Sequence, residues 1–204
     1  MEENLYQQEV EVAQEEPAAP KKDSKKELVE WLSTLVTSIL VVVLLFTFFF
    51  RMVGISGASM ENTLQSKDRI IIRSAFYKPE AGDIVVLSRD YIKEEDGTSP
   101  EPIIKRIIAT EGQEVFLDFD NNLVYVDGVA LDEPYVKGVL NEGRIPIQNP
   151  HVVKEGCVFV LGDHRTVSKD SRTAEVGDVD SRYILGKAMV RIFPLSEMKG
   201  LWNE

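Results

Sequence analysis

The chain has 204 residues, with 34 Asp plus Glu against 23 Lys plus Arg, a net charge of −11, one Cys and two His. A single Cys excludes an intramolecular disulfide and a Cys-cluster zinc site, and two His leave little for a His-based metal centre. An acidic chain also lacks the basic face that nucleic acid requires, so no nucleic-acid partner is expected.

Residues 1–20 carry six Glu, no Lys or Arg, and a Pro-Ala-Ala-Pro end. With little apolar periodicity they read as the start of a disordered tail over residues 1–27, or as a short frayed helix. Lys21, Lys22, Lys25 and Lys26 follow. Residues 31–50 (WLSTLVTSILVVVLLFTFFF) then run without a charge. At ~1.5 Å per residue such a run spans about 30 Å, the thickness of a bilayer core, and predicts a transmembrane helix over residues 28–50. A cleavable leader normally has an apolar core of about 7–15 residues. Ser56-Gly57-Ala58 offers the small-x-small pattern on which leaders end, but the length of the run favours an uncleaved anchor. Four Lys precede the span and only Arg51 follows it closely. The positive-inside rule therefore predicts a cytoplasmic N-terminus and an extracytoplasmic domain over residues 51–204.

Charge divides with this topology. Residues 1–30 hold nine acids and four Lys, net −5. Residues 51–204 hold 25 acids and 19 bases, net −6. That acidity reads as a solvated surface and not as a partner site.

The part after residue 51 reads as β. Residues 69–73 (RIIIR), 83–88 (DIVVLS) and 102–110 (PIIKRIIAT) are short runs rich in β-branched side chains. Residues 114–119 and 123–126 flank Asp120-Asn121-Asn122, a hairpin signal, and Asp127-Gly128 marks a second tight turn. Residues 157–161 (CVFVL) and 183–193 (YILGKAMVRIF) complete the series. No long 3.6-residue period interrupts them. A mostly β, antiparallel barrel or sandwich-like domain behind one transmembrane helix is expected.

Four polar or Gly-rich stretches could carry chemistry. In residues 54–64 (GISGASMENTL), Gly residues permit unusual dihedrals and close backbone approach. A Ser on such a turn can attack a carbonyl while N–H groups hold the oxyanion. Taken alone, the plain reading is a linker leaving the membrane. In residues 103–108 (IIKRII), alternation puts Lys105 on the face of Ile103 and Ile107. Burial there disfavours the charged amine, and a neutral Lys amine can serve as general base. The plain alternative is a pair of edge-strand charges that prevent aggregation. Arg106 cannot be the base, because guanidinium stays protonated. In residues 161–172 (LGDHRTVSKDSR), Asp163, Arg165, Asp170 and Arg172 can fix a loop by ion pairs, and Ser168 can hydrogen-bond a nearby amine. A solvated loop is the default reading. Residues 81–87 (AGDIVVL) read as a turn and a core strand.

Taken together and in order, these boxes resemble the bacterial type I signal peptidases, Ser-Lys endopeptidases that remove signal peptides from exported proteins. The resemblance covers the span and nearly all of residues 28–193 and is closest to the short, Gram-positive-like form. It implies Ser59 as nucleophile and Lys105 as general base. Ser168 would orient that Lys, and Arg106, Asp163, Asp170 and Arg172 would brace the site. The Ser59 N–H would be one oxyanion donor. Gly57 stands where other members carry a second, hydroxyl donor. Val53, Ile55, Met60, Leu64, Ile70, Val86 and Ile104 fall where the family lines pockets for the small side chains of Ala-x-Ala. The usual Pro three residues after the nucleophile is Asn62, and the usual Asn after Gly-Asp is His164. Endoplasmic-reticulum relatives carry His where this chain has Lys105. Secreted preproteins, the lipid bilayer and the protein export machinery are the implied partners, the cell membrane is the implied location, and no metal or organic cofactor is implied. Two other readings are a different Ser-Lys peptidase, such as a self-cleaving repressor-like protease, and a catalytically inactive membrane-anchored binding protein of the same fold.

Overall fold

A computed structural model of the protein describes residues 24–88, 102–140 and 148–201. Residues 1–23 of the expected tail lie outside them. The chain divides into two compact units, residues 1–42 and 43–204.

Helix α1 spans Ser24–Phe49, starting four residues before the expected position. Glu27 in its first turn suits the positive end of the helix dipole. Over Lys25–Thr47 it is long and apolar enough to cross a membrane, and none of that stretch is buried. A helix apolar on every side needs an apolar medium around it, and the chain is a membrane-anchored protein. Its few hydroxyls are satisfied within the helix: Thr34 donates to Glu30 O, Ser38 to Thr34 O and Thr47 to Val43 O, at 2.7–2.9 Å. No hydroxyl among these three is left to be solvated by lipid.

The second unit is antiparallel β, as expected, with two sheets. Its strands are β1 (Phe50–Gly54), β2 (Arg69–Arg73), β3 (Ile84–Leu87), β4 (Ile103–Thr110), β5 (Glu114–Asp118), β6 (Leu123–Val126), β7 (Val129–Ala130), β8 (His151–Val152), β9 (Cys157–Leu161), β10 (Val179–Asp180), β11 (Ile184–Phe193) and β12 (Lys199–Gly200). The larger sheet runs β1-β2-β11-β3-β4-β9-β10, with β12 also on β11, in an open half-barrel. The smaller runs β7-β6-β5-β8. Strand β1 was not anticipated, because Phe50, Met52 and Val53 continue the apolar run of α1 and Arg51 is the single charge among them.

Both predicted turns form. Asp118 pairs with Leu123 across the first hairpin, and its carboxylate accepts the Asn121 N–H at 2.9 Å. Asp127 and Gly128 both have positive φ, +50° and +79°, which matches the right-handed twist of the strands they join.

Strand β4 is buried along nearly its whole length, as a central strand covered on both faces should be. Ile104 joins a core cluster with Ile70, Ile72, Ile84 and Val86. Ile107 enters a second with Val85, Val158 and Val160. Ile108 enters a third with Val115, Leu117 and Phe159. A register shift between Ile107 and Ala109 lets consecutive residues serve different clusters.

Phe159 is fully buried and lies 5.7 Å from the His151 ring, centroid to centroid. Phe159→Ala should lower the unfolding free energy by about 3–5 kcal/mol. The check is denaturant unfolding of the full chain in detergent micelles, with a midpoint below that of the wild type.

Candidate active site

The connection between β1 and β2 is a loop with a closed neck. Ile55 N donates to Asp68 O and Lys67 N to Ile55 O, both at 2.9 Å. Within the loop, Leu64 N donates to Met60 O at 2.8 Å, and Met60 and Leu64 are 2% and 0% exposed. These two side chains pin the loop into the first core cluster on one side. Ser59, immediately before Met60, is left half-buried. Gly57, two residues before Ser59, has φ +90°, a conformation an L side chain rarely adopts, and faces open space.

Lys105 reaches this loop from β4. Its Nζ lies 2.8 Å from Ser59 Oγ and 2.9 Å from the Ile104 carbonyl, and the residue is 3% exposed. A nucleophile and a base within hydrogen-bond reach, in a site largely closed to water, is the arrangement that proton transfer requires.

Arg106, next to Lys105, grips Asp163 with two parallel bonds, Nε to Oδ1 at 3.0 Å and Nη2 to Oδ2 at 2.8 Å. Its Nη1 donates to Gly82 O at 3.0 Å, and its guanidinium stacks 3.7 Å from the Tyr135 ring centroid. Burial pushes the Tyr135 hydroxyl above its ordinary pKa. Asp163 Oδ2 also accepts the Thr63 hydroxyl. One carboxylate therefore ties the Ser59 loop to the residue beside Lys105. Both members of the ion pair are within 1% of full burial. Removing one would leave a buried charge unpaired, at a cost of about 3–5 kcal/mol.

The 161–172 stretch folds on a second buried fork. Arg172 Nε and Nη2 meet Asp170 Oδ1 and Oδ2 at 2.8 and 2.9 Å, and Asp170 Oδ2 also accepts Gly162 N–H at 3.0 Å. Arg172 Nη2 donates to Arg165 O at 2.7 Å. Arg165 pairs with Glu133, not with a carboxylate of its own loop, and Asp163 pairs outward with Arg106. Of the ion pairs within this loop that the sequence suggested, Asp170–Arg172 forms.

This folded loop carries Gly162, Ser168 and His164 to Ser59. His164 N donates to Ser59 O at 3.0 Å, and its Nδ1 lies 3.3 Å from Ala58 O. A Cβ at Gly162 would collide with Ser168 and come within 2.6 Å of the Ser59 carbonyl oxygen. Ser168, fully buried, is thus held on the side of Ser59. Ile55, Met60, Leu64, Ile70, Val86 and Ile104 all belong to the first core cluster, and Val53 packs against it half-buried. The structure therefore brings together every site residue singled out in the sequence except Gly57, which contributes backbone shape. Thr63 and Tyr135 were missed. Thr63 sits inside the first box and was open to detection. Tyr135 lies far from any box.

A cavity of about 700 Å³ is lined by Asn62, Thr63, Gly82, Ile107, Tyr135 and Lys199, among others, behind the Arg106–Asp163 pair; neither Ser59 nor Lys105 lines it. Among the described residues no group of three or more His, Cys, Asp or Glu is placed to hold a metal ion.

The sequence profile described as signal peptidase, peptidase S26, matches residues 28–193. Proteins named signal peptidase IB from Staphylococcus aureus strains Mu50 and N315 are 32% identical over 196 residues, covering 88% of this chain and 96% of theirs. A probable signal peptidase I-2 from a Synechocystis species is 36% identical over 166 residues, covering 79% of this chain and 72% of its own. The crystal structure of a signal peptidase I from Enterococcus faecalis is 25% identical, with a TM-score of 0.43 over 55% of this chain and 98% of that one.

Gly162→Ala should lower turnover by about 100-fold, because the added methyl forces Ser59 and Ser168 apart by a fraction of an ångström or more. Steady-state kinetics of the purified variant check this. Turnover within twofold of wild type would contradict the tight packing at Gly162.

Proposed function

This chain belongs to the signal peptidase family, peptidase S26, and is a serine endopeptidase; from that premise we propose that Ser59 and Lys105 form its catalytic dyad. The observation that carries the reading is the 2.8 Å contact between Ser59 Oγ and the buried Lys105 amine. It favours a working enzyme over an inactive binding protein of the same fold. The match across the apolar span favours it over a soluble Ser-Lys peptidase.

In this mechanism the Lys105 amine is neutral in the resting enzyme, since burial disfavours its charged form. It takes the Ser59 hydroxyl proton as Oγ attacks the scissile carbonyl. The Ser59 N–H stabilises the oxyanion, and Gly57, lacking a side chain, adds no hydroxyl there. The ammonium of Lys105 returns the proton to the leaving amine, and the acyl-enzyme remains. Lys105 then takes a proton from water as the water oxygen attacks the acyl carbon, and returns it to Ser59 Oγ as the ester bond breaks and the acid leaves. Ser168 holds the Lys105 amine toward Ser59. Arg106, Asp163, Asp170 and Arg172 fix the two loops that meet there.

The substrate is an exported preprotein cut after Ala-x-Ala. The apolar cluster of Ile55, Met60, Leu64, Ile70, Val86 and Ile104, with Val53 at its border, supports this. The domains divide into a cytoplasmic tail over residues 1–27, a transmembrane helix over 28–50 and an extracytoplasmic catalytic domain over 51–204. The four Lys before the span support this orientation. Ser59 follows the span by nine residues, which suits substrates whose own apolar segment is still in the membrane, delivered by the export machinery.

The test is cleavage of a preprotein bearing Ala-x-Ala by the wild type and by Ser59→Ala and Lys105→Met. Wild type should cut at the Ala-x-Ala site and both variants should lose at least about 1,000-fold in kcat. Normal cleavage by either variant removes that residue from the dyad. The rate should also rise with pH, since only the unprotonated amine accepts the Ser59 proton. A profile that His164→Asn abolishes would instead make His164 the titrating group.

A further inference from the structure

The loop that carries Ser59 is held at its Thr63 hydroxyl by Asp163 and by the packing of Met60 and Leu64. A third hold comes from a residue that lies 128 positions away from Thr63 and outside every box. Arg191, on β11, is buried, with 7% of its side chain exposed. Its Nη1 meets Asp68 Oδ2 at 3.1 Å and reaches Thr63 O at 3.5 Å. Its Nε donates to Glu197 O at 2.9 Å, and its Nη2 lies 3.2 Å from Glu197 Oε2.

These contacts span the loop. Asp68 is its neck, because Asp68 O accepts the Ile55 N–H that closes it. The Asp68 carboxylate also accepts Gln65 N–H at 2.9 Å, which fixes the returning limb. Thr63 lies four residues past Ser59. A single planar cation thus joins the neck, the limb beyond the nucleophile and the turn after β11. Only a guanidinium presents donors in a fixed fork able to serve three directions at once. Arg191 sits between two register shifts of β11, at Ala188/Val190 and Arg191/Phe193. Such bulges re-aim side chains beside functional sites.

We propose that Arg191 is a positioning residue of the peptidase reaction: it sets the Ser59 loop at the depth where Oγ meets the Lys105 amine. The proposal rests on the reading of Ser59 as nucleophile. A contact that only stabilised the fold would change the fraction of folded enzyme and leave the turnover of each folded molecule intact. A positioning contact lowers kcat in folded enzyme and spares KM, because Met60 and Leu64 still anchor the loop in the apolar cluster that would bind substrate while the Ser59 Oγ loses its alignment.

Arg191→Met alone leaves the buried Asp68 carboxylate without its cation and is a poor test. The charge-balanced double variant Arg191→Met/Asp68→Asn removes both partners. It is compared with Arg191→Lys and Ser59→Ala, all as full chains in detergent micelles, using a preprotein substrate with Ala-x-Ala. Melting temperature, kcat and KM are measured for each. The double variant should melt within a few degrees of wild type, keep KM within about twofold and lose about 10- to 100-fold in kcat. Arg191→Lys should recover part of that loss, since an ammonium pairs with Asp68 but cannot also hold Thr63 and Glu197. A folded double variant with wild-type kcat, or a change confined to KM, overturns the proposal. If the double variant does not fold, Arg191→Lys decides: kcat lowered at unchanged KM supports the proposal, and wild-type kcat overturns it. Normal cleavage by Ser59→Ala removes the underlying reading and this proposal with it. That outcome is distinct from an inactive Ser59→Ala beside a fully active double variant, in which the Arg191 proposal alone fails.

Discussion

The 2.8 Å contact between Lys105 Nζ and Ser59 Oγ joins two parts of the backbone that are not neighbours in the sheet. Ser59 hangs from the end of β1 and β2, and Lys105 lies on β4, with β11 and β3 between. The ladders β2-β11, β11-β3 and β3-β4 hold both in one sheet. The loop beyond β1 that carries Ser59 is fixed further by side chains, and most of the buried polar groups among the described residues take part. Asp163 takes Arg106 and Thr63 together, Asp170 takes Arg172 and Gly162, and Arg191 takes Asp68.

Buried ion pairs of this kind contribute little net stability, because desolvation offsets their attraction. Their value is directional. Each Arg–carboxylate fork has one geometry in which both bonds are made, whereas an apolar contact tolerates sliding. The two kinds of interaction are divided by side. Met60 and Leu64 press the Ser59 loop into an apolar cluster, where contact area supplies the energy. On the other side Thr63, Asp163 and His164 fix the loop by hydrogen bonds, where angle supplies the precision. A Ser held by apolar packing alone would keep its place in the fold without keeping an orientation toward its base.

Much of this was legible in the sequence. The strands at residues 69–73, 103–110, 157–161 and 184–193 follow from runs of β-branched residues, and the turns at 120–122 and 127–128 from Asn, Asp and Gly. The boxes around Ser59, Lys105 and residues 162–172 converge in space as their resemblance to one family implied. What was not legible has physical causes. Strand β1 has one charge, Arg51, in a run that otherwise continues the apolar helix before it. The insertion of β11 between β2 and β3 is set by long-range pairing that leaves no local trace. The loop pattern alone left the partner of Asp163 open among the arginines of its own stretch, and burial beside Arg106 and Tyr135 selected the distant one. Arg191 stands in a strand of ordinary composition, and only its place opposite Asp68 distinguishes it.

The position of β11 has a temporal consequence. It is the last long strand to leave the ribosome, and yet it lies at the centre of the larger sheet, bonded to β2 on one side and β3 on the other. Until residues 184–193 arrive, the hairpin that carries Ser59 and the strands that carry Lys105 have nothing between them to hold them in one sheet. The pairing that unites the two halves of the sheet therefore forms only after both halves have been made.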